Sequence, residues 1–316
     1  SRKGWVVVAD TDNRRVVLLE NTGKKLNWKR TMGEDVLIKP MDVAITPTDT
    51  IFVTDASTNS VHMFDIMGRH LAELGKGEFA GPTGIDIDNP HFKKTRYREQ
   101  VIYVIDAEGQ RVSKMDYTGR IKKRRAMSEF GLSGAVAKYL ALDYDNNLYL
   151  PDTVGCSIIK LDKDLNYVTR TGKCGTKNEL EFNHPRGIAI FRRFGQVFIS
   201  ERDAAQYYWF ATDLKKLDVT FENDSLTRQV NMSFDITQKA YFTIDITAPD
   251  GTEWNMMTRK RFQQDEDLWV WDLKDPDGTP VLPGEYKIDI LIEPTYSAFT
   301  FFEIKKQKKV NITPGN

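Results

Sequence analysis

The sequence has no apolar run of the roughly 18 residues that a membrane-spanning helix needs, so we expect no transmembrane segment. It also has no excess of charge, because 45 lysines and arginines are matched by 45 aspartates and glutamates. Proteins that bind nucleic acid through its phosphates carry a basic excess, so this balance argues against nucleic acid as a partner. Only two cysteines and four histidines are present, which leaves few ligands for a zinc site.

Familiar catalytic and cofactor-binding motifs are also missing. The sequence contains no Gly-Lys-Ser/Thr phosphate loop, no Gly-x-Ser-x-Gly nucleophile elbow and no Cys-x-x-Cys-His haem attachment. We therefore expect neither a cofactor nor a bound metal. What the chain does contain is enough apolar material for a sizeable core, at 40% of 316 residues, together with a clear internal repeat.

The repeat organises the first two thirds of the chain. Each copy contains an apolar, β-rich run that ends in an acidic residue, and the acidic residues are 45 to 51 positions apart. A unit of this length with several short strands is typical of a β-propeller blade. The five runs are Val6–Asp10, Ile51–Asp55, Ile102–Asp106, Leu148–Asp152 and Val197–Glu201.

Each copy is predicted to form four strands, counted outward from the propeller axis. The run that ends in the acidic residue is the second strand. A polar turn, the third strand, a second turn and the outer strand follow it, as the hairpin signals indicate. An inner strand such as Pro40–Ile45 or Pro185–Ile190 precedes it in the last four copies. Only four residues precede Trp5, so we expect an incomplete first blade. The ring is then open beside Val6–Asp10, or a remote segment pairs with that strand.

These copies resemble the NHL-repeat family of β-propellers. The loose pattern of that family is a Pro-x-Gly-Ile-Ala strand, a short turn, a Val-Ala-Asp strand and an Asn-x-Arg-Val strand. Pro185–Ala189, Val8–Asp10 and Asn13–Val16 match this pattern. The resemblance covers about residues 4–222 and implies about five to six four-stranded blades in a domain spanning 1–222.

A different alternation begins near residue 223. Val230–Ile236 and Ala240–Ile246 alternate apolar and polar residues, which favours a β-sandwich over 223–316 and an all-β chain. The stretch Trp271–Tyr286 resembles the signature of the FlgD-type immunoglobulin-like domain, with Leu273 in place of its first Gly. Domains of that type resemble modules of bacterial exported and surface proteins, and the resemblance implies no catalytic residue.

Three sets of residues could bind a metal, and each has a simpler interpretation. His184 precedes an inner strand at the channel mouth, but a zinc site needs three or four protein ligands. The acidic residues that end the second strands could form a ring for a cation, yet at a strand-to-turn junction they are well placed to accept hydrogen bonds from turn amides. Asp272, Asp275 and Asp277 suggest calcium, whereas Asp275–Gly278 is also a strong turn sequence.

Basic side chains are concentrated in loops and on one outer strand, which we predict to lie on one side of the propeller. Their ordinary explanation is a solvated surface with lysine and arginine on edge strands. The functional hypothesis is a docking face for an acidic partner or polyanion. The candidate residues are Lys93, Lys94, Arg96, Arg98, Lys122, Lys123, Arg124, Arg192 and Arg193.

The two cysteines, Cys156 and Cys174, are predicted to form a disulfide. The first opens the third strand of the fourth blade and the second follows the outer strand, so the hairpin between them returns both to one edge. Neighbouring antiparallel strands lie about 4.5–5.5 Å apart, within the Cα range that a disulfide accepts. Two free thiols are the alternative. Stable disulfides occur mainly in oxidising compartments, so the bond favours a secreted, periplasmic or cell-surface protein of a bacterium.

The architecture and the missing catalytic groups favour a non-enzymatic, extracytoplasmic binding or scaffold protein that presents a propeller face to a protein or glycan. One alternative is a propeller hydrolase or lyase with its site at the channel mouth, which convergent polar groups with perturbed pKa values would favour. Another is a subunit of a bacterial surface filament or envelope complex, in which a neighbour supplies the missing strand.

Overall fold

The computed structural model describes residues 4–88, 100–192, 195–224, 227–295 and 302–314. Every regular element of these residues is a β-strand or a short 3₁₀ turn. The chain divides into two compact units, Ser1–Tyr208 and Trp209–Asn316. No helix that could cross a membrane occurs within the described ranges.

The first unit contains β1 to β20 and three 3₁₀ turns. The strands are β1 (Trp5–Asp10), β2 (Arg15–Asn21), β3 (Leu26–Met32), β4 (Pro40–Ile45), β5 (Ile51–Asp55), β6 (Ser60–Phe64), β7 (His70–Leu74), β8 (Ile85–Ile87), β9 (Val101–Asp106), β10 (Arg111–Asp116), β11 (Ile121–Ala126), β12 (Ala141–Leu142), β13 (Leu148–Asp152), β14 (Ser157–Leu161), β15 (Tyr167–Thr171), β16 (Lys173–Cys174), β17 (Glu181–Phe182), β18 (Gly187–Phe191), β19 (Gln196–Ser200) and β20 (Ala205–Trp209). The 3₁₀ turns are Thr11–Asn13, Ala107–Gly109 and Met127–Phe130.

Five small antiparallel sheets follow one another along this unit. Blade 1 is β1-β2-β3, blade 2 is β4 to β7, blade 3 is β8 to β11, blade 4 is β12 to β15 and blade 5 is β18-β19-β20. The inner strands pack in order, β4 against β8, β8 against β12 and β12 against β18, while β1 packs against β4. Sheets arranged side by side around a common set of inner strands form a β-propeller, which confirms the predicted fold class.

The apolar second strands are explained by packing on both faces of each interior blade. All residues of β5, β9 and β13 are buried. A strand covered on both faces has no reason to alternate and becomes a continuous apolar run. Three clusters of buried side chains lie between blades 1 and 2, blades 2 and 3, and blades 3 and 4. The repeat detected in the sequence is therefore the repeat of these inter-blade cores.

Blade 1 lacks an inner strand among the described residues, as predicted. β1 pairs with β2 over Trp5–Asp10, and no strand of the described ranges pairs with its other edge. The side chain of Val8 on this strand is 42% exposed. Blade 5 also has three strands, and Phe198 on its middle strand is 52% exposed.

The second unit consists of two sheets packed over one core. Its strands are β21 (Leu214–Asn223), β22 (Arg228–Ile236), β23 (Ala240–Thr247), β24 (Glu253–Phe262), β25 (Asp265–Trp271), β26 (Gly284–Pro294) and β27 (Ile304–Ile312). One sheet has the order β21-β22-β25 and the other β24-β23-β26-β27. Phe234 of the first sheet and Phe242 of the second contact each other in the core between the sheets, with ring centroids 4.4 Å apart.

The division between the units lies earlier than the boundary predicted near residue 222. β21 pairs with β22 along nearly its whole length, so it belongs to the second unit. Its alternating residues Leu217, Val219 and Phe221 pack against the core of that unit. The loss of the repeat phase marked the end of the last blade only approximately, because β21 alternates as an ordinary strand does.

The stretch that resembles the FlgD-type signature forms a turn held by its own side chains. The Trp271 indole N–H donates to the Lys274 carbonyl at 2.7 Å, and the Tyr286 hydroxyl donates to the Leu282 carbonyl at 2.8 Å. Asp275 Oδ1 accepts hydrogen bonds from the amides of Asp277 and Thr279. These two hydrogen bonds are those that the Asp275–Gly278 turn predicts for this carboxylate.

Candidate functional site in the propeller channel

The inner strands of blades 2 to 5 line an open channel of about 620 Å³. Its volume lies in the range of small-molecule sites. Apolar side chains from these strands form part of the wall. The polar side chains that line it are Asp42, Asp86, Tyr139, Arg186, Arg192 and Ser200.

Asp42 links blade 2 to blade 3. Its Oδ1 accepts from the Val43 amide at 2.9 Å, and its Oδ2 accepts from the Ile85 amide of β8 at 3.0 Å. Burial raises the pKa of Asp42 to about 7, while these two hydrogen bonds act in the opposite direction and nearby Asp86 adds to the rise. This carboxyl group therefore exchanges its proton near neutral pH.

Asp86 and Arg192 form an ion pair that joins blade 3 to blade 5. Arg192 Nη2 donates to both Asp86 oxygens at 2.7 and 2.8 Å, and Nη1 donates to the Ile87 carbonyl at 3.1 Å. Asp86 Oδ2 also accepts from the Leu142 amide of blade 4 at 2.9 Å. Both side chains are mostly buried, so the pair contributes a fixed, neutral wall to the channel.

The remaining polar groups have donors available. The Arg186 guanidinium makes no hydrogen bond or ion pair with another described residue. Burial raises the pKa of the Tyr139 hydroxyl, with a further rise from Asp42 and an opposing effect of Arg186, so the phenol stays protonated between them. Ser200 Oγ accepts from the Gly187 amide at 2.9 Å, which leaves its own hydrogen to donate.

The channel thus presents a cation and two hydroxyl groups to a ligand, beside carboxylates that already accept hydrogen bonds from the backbone. Such a set suits the oxygen atoms of a polar or anionic molecule. Within the described residues, no group of three or more His, Cys, Asp or Glu side chains is arranged to hold a metal ion. His184 is exposed, and its Nδ1 contacts the Asn183 side-chain oxygen at 2.9 Å.

The acidic residues of the repeat serve the backbone rather than the channel. Asp55 Oδ1 accepts from the amides of Ser57 and Thr58, and Oδ2 accepts from those of Ile38 and Lys39, which precede β4. Hydrogen bonds from turn amides are what the turn interpretation predicts for this residue. The equivalent residues Asp106, Asp152 and Glu201 accept from the amides of Ala80, Val136 and Asn183, respectively.

The candidate basic residues are placed in two different parts of the propeller. Lys122, Lys123 and Arg124 lie on β11, the outermost strand of blade 3. Lys123 donates to Asn166, whereas Arg124 donates to Glu78, because neighbouring strand residues point to opposite faces. Arg192 lies in the channel, paired with Asp86. The others, Lys93, Lys94, Arg96, Arg98 and Arg193, lie outside the described residues, so the docking face remains a prediction.

The predicted disulfide between Cys156 and Cys174 is confirmed, with the two Cα atoms 4.8 Å apart. Cys174 lies on β16, which pairs in parallel with β17. The segment after β17 leads directly into β18 and contains Arg186. The disulfide therefore anchors to blade 4 the segment that enters the channel wall.

Sequence reasoning missed the polar residues of the channel. A signal was present, because Asp42 and Asp86 interrupt the apolar residues of two inner strands. Arg186 occupies the variable position of the Pro-x-Gly pattern, where no residue type is expected. Tyr139 precedes its inner strand and carries no pattern of its own.

The fold and the channel together define a β-propeller followed by a two-sheet unit. The sequence matches no protein-family model and no curated protein. Among solved structures, the chain is similar to a streptogramin B lyase, with a TM-score of 0.45 and 13% identity over 98% of this chain and 91% of that one. It is also similar to virginiamycin B lyase from Staphylococcus aureus, with a TM-score of 0.44 and 12% identity over 98% of this chain and 93% of that one. The similarity to a luciferin-regenerating enzyme has a TM-score of 0.45 and 14% identity, and it covers 63% of this chain and 66% of that one. No residue role is transferred from similarities this distant.

Proposed function

We propose that the chain is a non-enzymatic, extracytoplasmic binding protein whose propeller presents its channel mouth to a glycan. The observation that carries this proposal is the set of unengaged donors on Arg186, Tyr139 and Ser200 in a channel of about 620 Å³. Glycans offer many hydroxyl and ring oxygens, and pockets that bind such ligands place a few polar groups on a partly apolar wall.

Binding is favoured over chemistry because the channel carboxylates already have partners. General acid–base catalysis needs groups within hydrogen-bond reach of the reacting atoms. Asp86 is held by Arg192 and by backbone amides, which suits a structural role. Asp42 favours the alternative of a hydrolase or lyase, because a pKa of about 7 suits proton transfer.

The disulfide supports a location in an oxidising compartment. Cys174 is exposed, so a reducing environment would have access to the bond. Structural disulfides persist mainly in secreted, periplasmic and surface proteins. We propose that the protein works in one of these locations in a bacterium.

A glycan array with neutral and acidic oligosaccharides tests the proposed function. We expect the wild-type chain to bind at least one class and Arg186→Gln and Tyr139→Phe to lose that binding. Mass spectrometry of the bound oligosaccharide after long incubation should recover it intact. Shortened or unsaturated products would instead establish the enzymatic alternative, and an array without binding would overturn the glycan proposal.

A second candidate is a subunit of a surface assembly, and the uncovered faces of the terminal blades favour it. Val8 and Trp28 on blade 1 are 42% and 64% exposed, and Phe198 and Tyr207 on blade 5 are 52% and 51% exposed. The corresponding faces of interior blades are buried against a neighbouring blade. Exposed apolar side chains on blades 1 and 5 are what a face that contacts another subunit would carry.

A further inference from the structure

We infer that the channel selects a small hydroxylated carboxylate, such as a hexuronic acid unit, and that Arg186 binds its carboxylate group. The inference rests on the proposed function and names the ligand class of the same site. It is carried by the charges, the donors and the open space that the channel wall provides.

The charge balance of the wall singles out Arg186. Two arginines line the channel, and Arg192 is neutralised by a bidentate contact with Asp86. Arg186 has no carboxylate partner among the described residues. An arginine side chain presents a planar fork of donors that matches a carboxylate bidentately. A ligand anion therefore supplies the counter-charge that the wall itself gives only to Arg192.

The nearby Asp42 favours a monoanion over a dianion. Tyr139 senses both Asp42 and Arg186 electrostatically, so these three groups lie in one neighbourhood. A phosphate group with about 1.5 negative charges or more at neutral pH would be attracted by the Arg186 guanidinium and repelled by Asp42 when that group is ionised. A carboxylate carries one charge and suffers less from the same repulsion.

Hydroxyl groups beside the carboxylate have partners ready. The Tyr139 hydroxyl and the Ser200 hydroxyl both line the channel. Gly187 keeps the space beside Ser200 open, because a Cβ at that position would come within 2.6 Å of Ser200 Oγ. Ile188 and Leu140 supply apolar surface against which the C–H groups of a sugar ring can pack.

Isothermal titration calorimetry with three probes tests this inference on the full chain. The probes are glucuronate, glucose and inorganic phosphate, at neutral pH and low salt. Because a charge-assisted bidentate contact is made only with the acid, glucuronate should bind about tenfold or more tightly than glucose. Phosphate should bind more weakly than glucuronate.

Two variants locate the effect. Arg186→Gln removes the guanidinium and should make glucuronate and glucose bind equally. Arg69→Gln removes an equivalent charge from a side chain that is 76% exposed on a turn of blade 2, and should leave the preference intact. Circular dichroism and melting temperature should match for all three proteins, because the Arg186 side chain is exposed.

The outcomes separate the inference from the function on which it rests. Equal binding of glucuronate and glucose by the wild-type chain would overturn the carboxylate inference while the glycan proposal stands. A preference that survives in Arg186→Gln would overturn the assignment of this residue. Tighter binding of phosphate than of glucuronate would overturn the choice of a monoanion. No binding of either sugar here, together with an empty glycan array, would overturn the proposed function itself.

Discussion

At the scale of single residues, carboxylates do much of the work that joins one blade to the next. Asp42 and Asp86 line the channel, and each accepts a hydrogen bond from a backbone amide of the following blade. The acidic residues that end the second strands perform the same task within each blade. The channel wall is therefore stiffened by the groups that a catalytic site would need to keep free, which favours binding over chemistry.

Asp42 predicts a specific pH dependence of stability. Its pKa is raised from 3.8 to about 7 on folding, so between these values the folded state holds a proton that the unfolded state has released. The contribution of this group then decreases as pH rises from about 4 to 7, by at most about 1.4 kcal/mol per pH unit, and is constant above. Asp42→Asn should remove this decrease.

Urea denaturation of wild type and Asp42→Asn from pH 5 to 8 measures the effect. The difference in unfolding free energy between the two should shift in favour of the variant as pH rises, because the variant has no proton to lose. Asp12→Asn, at an exposed position on the first 3₁₀ turn, is the matched control and should follow the wild-type profile. Parallel profiles for all three proteins would contradict the assignment.

At the scale of elements, the Cys156–Cys174 bond anchors the segment that enters β18. It closes a separation of 18 residues, for which the chain-entropy model gives about 3 kcal/mol. Reduction should lower the unfolding free energy by about that amount. Hydrogen exchange should quicken first in β16, β17 and the turn carrying Arg186, while β4 to β7 stay protected. Uniform loss of protection would show that the bond holds the whole propeller instead.

β21 decides where the second unit begins, and two fragments test this. A fragment of residues 209–316 keeps the pairing of β21 with β22, whereas one of residues 223–316 leaves β22 without it. Loss of the partly buried Leu217, Val219 and Phe221 should cost roughly 3 kcal/mol. The melting temperature should fall by more than about 10 °C. Equal melting temperatures for the two fragments would instead place the start of the second unit near residue 223.

At the scale of the whole molecule, blades 1 and 5 differ from the interior blades in carrying large apolar side chains that are about half exposed, such as Val8 and Phe198. If a second copy of the chain covers these side chains in an assembly, the chain should self-associate with rising concentration. Trp28→Ser combined with Phe198→Ser should weaken this association, because both are more than half exposed on these two blades. Met67→Ser is the control, since Met67 is 66% exposed on a turn of blade 2. Light scattering across a dilution series measures all three, and monomers throughout would remove the second-copy explanation.

The blades and the disulfide could be predicted from the sequence. In β5 the residues Ile51, Phe52 and Val53 are apolar in succession because the strand is covered on both faces, and the same arrangement recurs in β9 and β13, so it is visible as a period. The disulfide was predictable because its two cysteines belong to one blade, and the separation along the chain is short.

Only the tertiary structure decided the channel and the boundary between the units. Arg192 meets Asp86 across 106 positions, and Asp42 meets the Ile85 amide across 43, so no local pattern brings them together. Arg186 lines the channel because it directly precedes the inner strand β18, and its guanidinium has no hydrogen-bond or ion-pair partner among the described residues. The sequence repeat reflects the packing contacts that recur from blade to blade. The channel site depends on contacts between particular residues that each occur once, so no repeat reveals them.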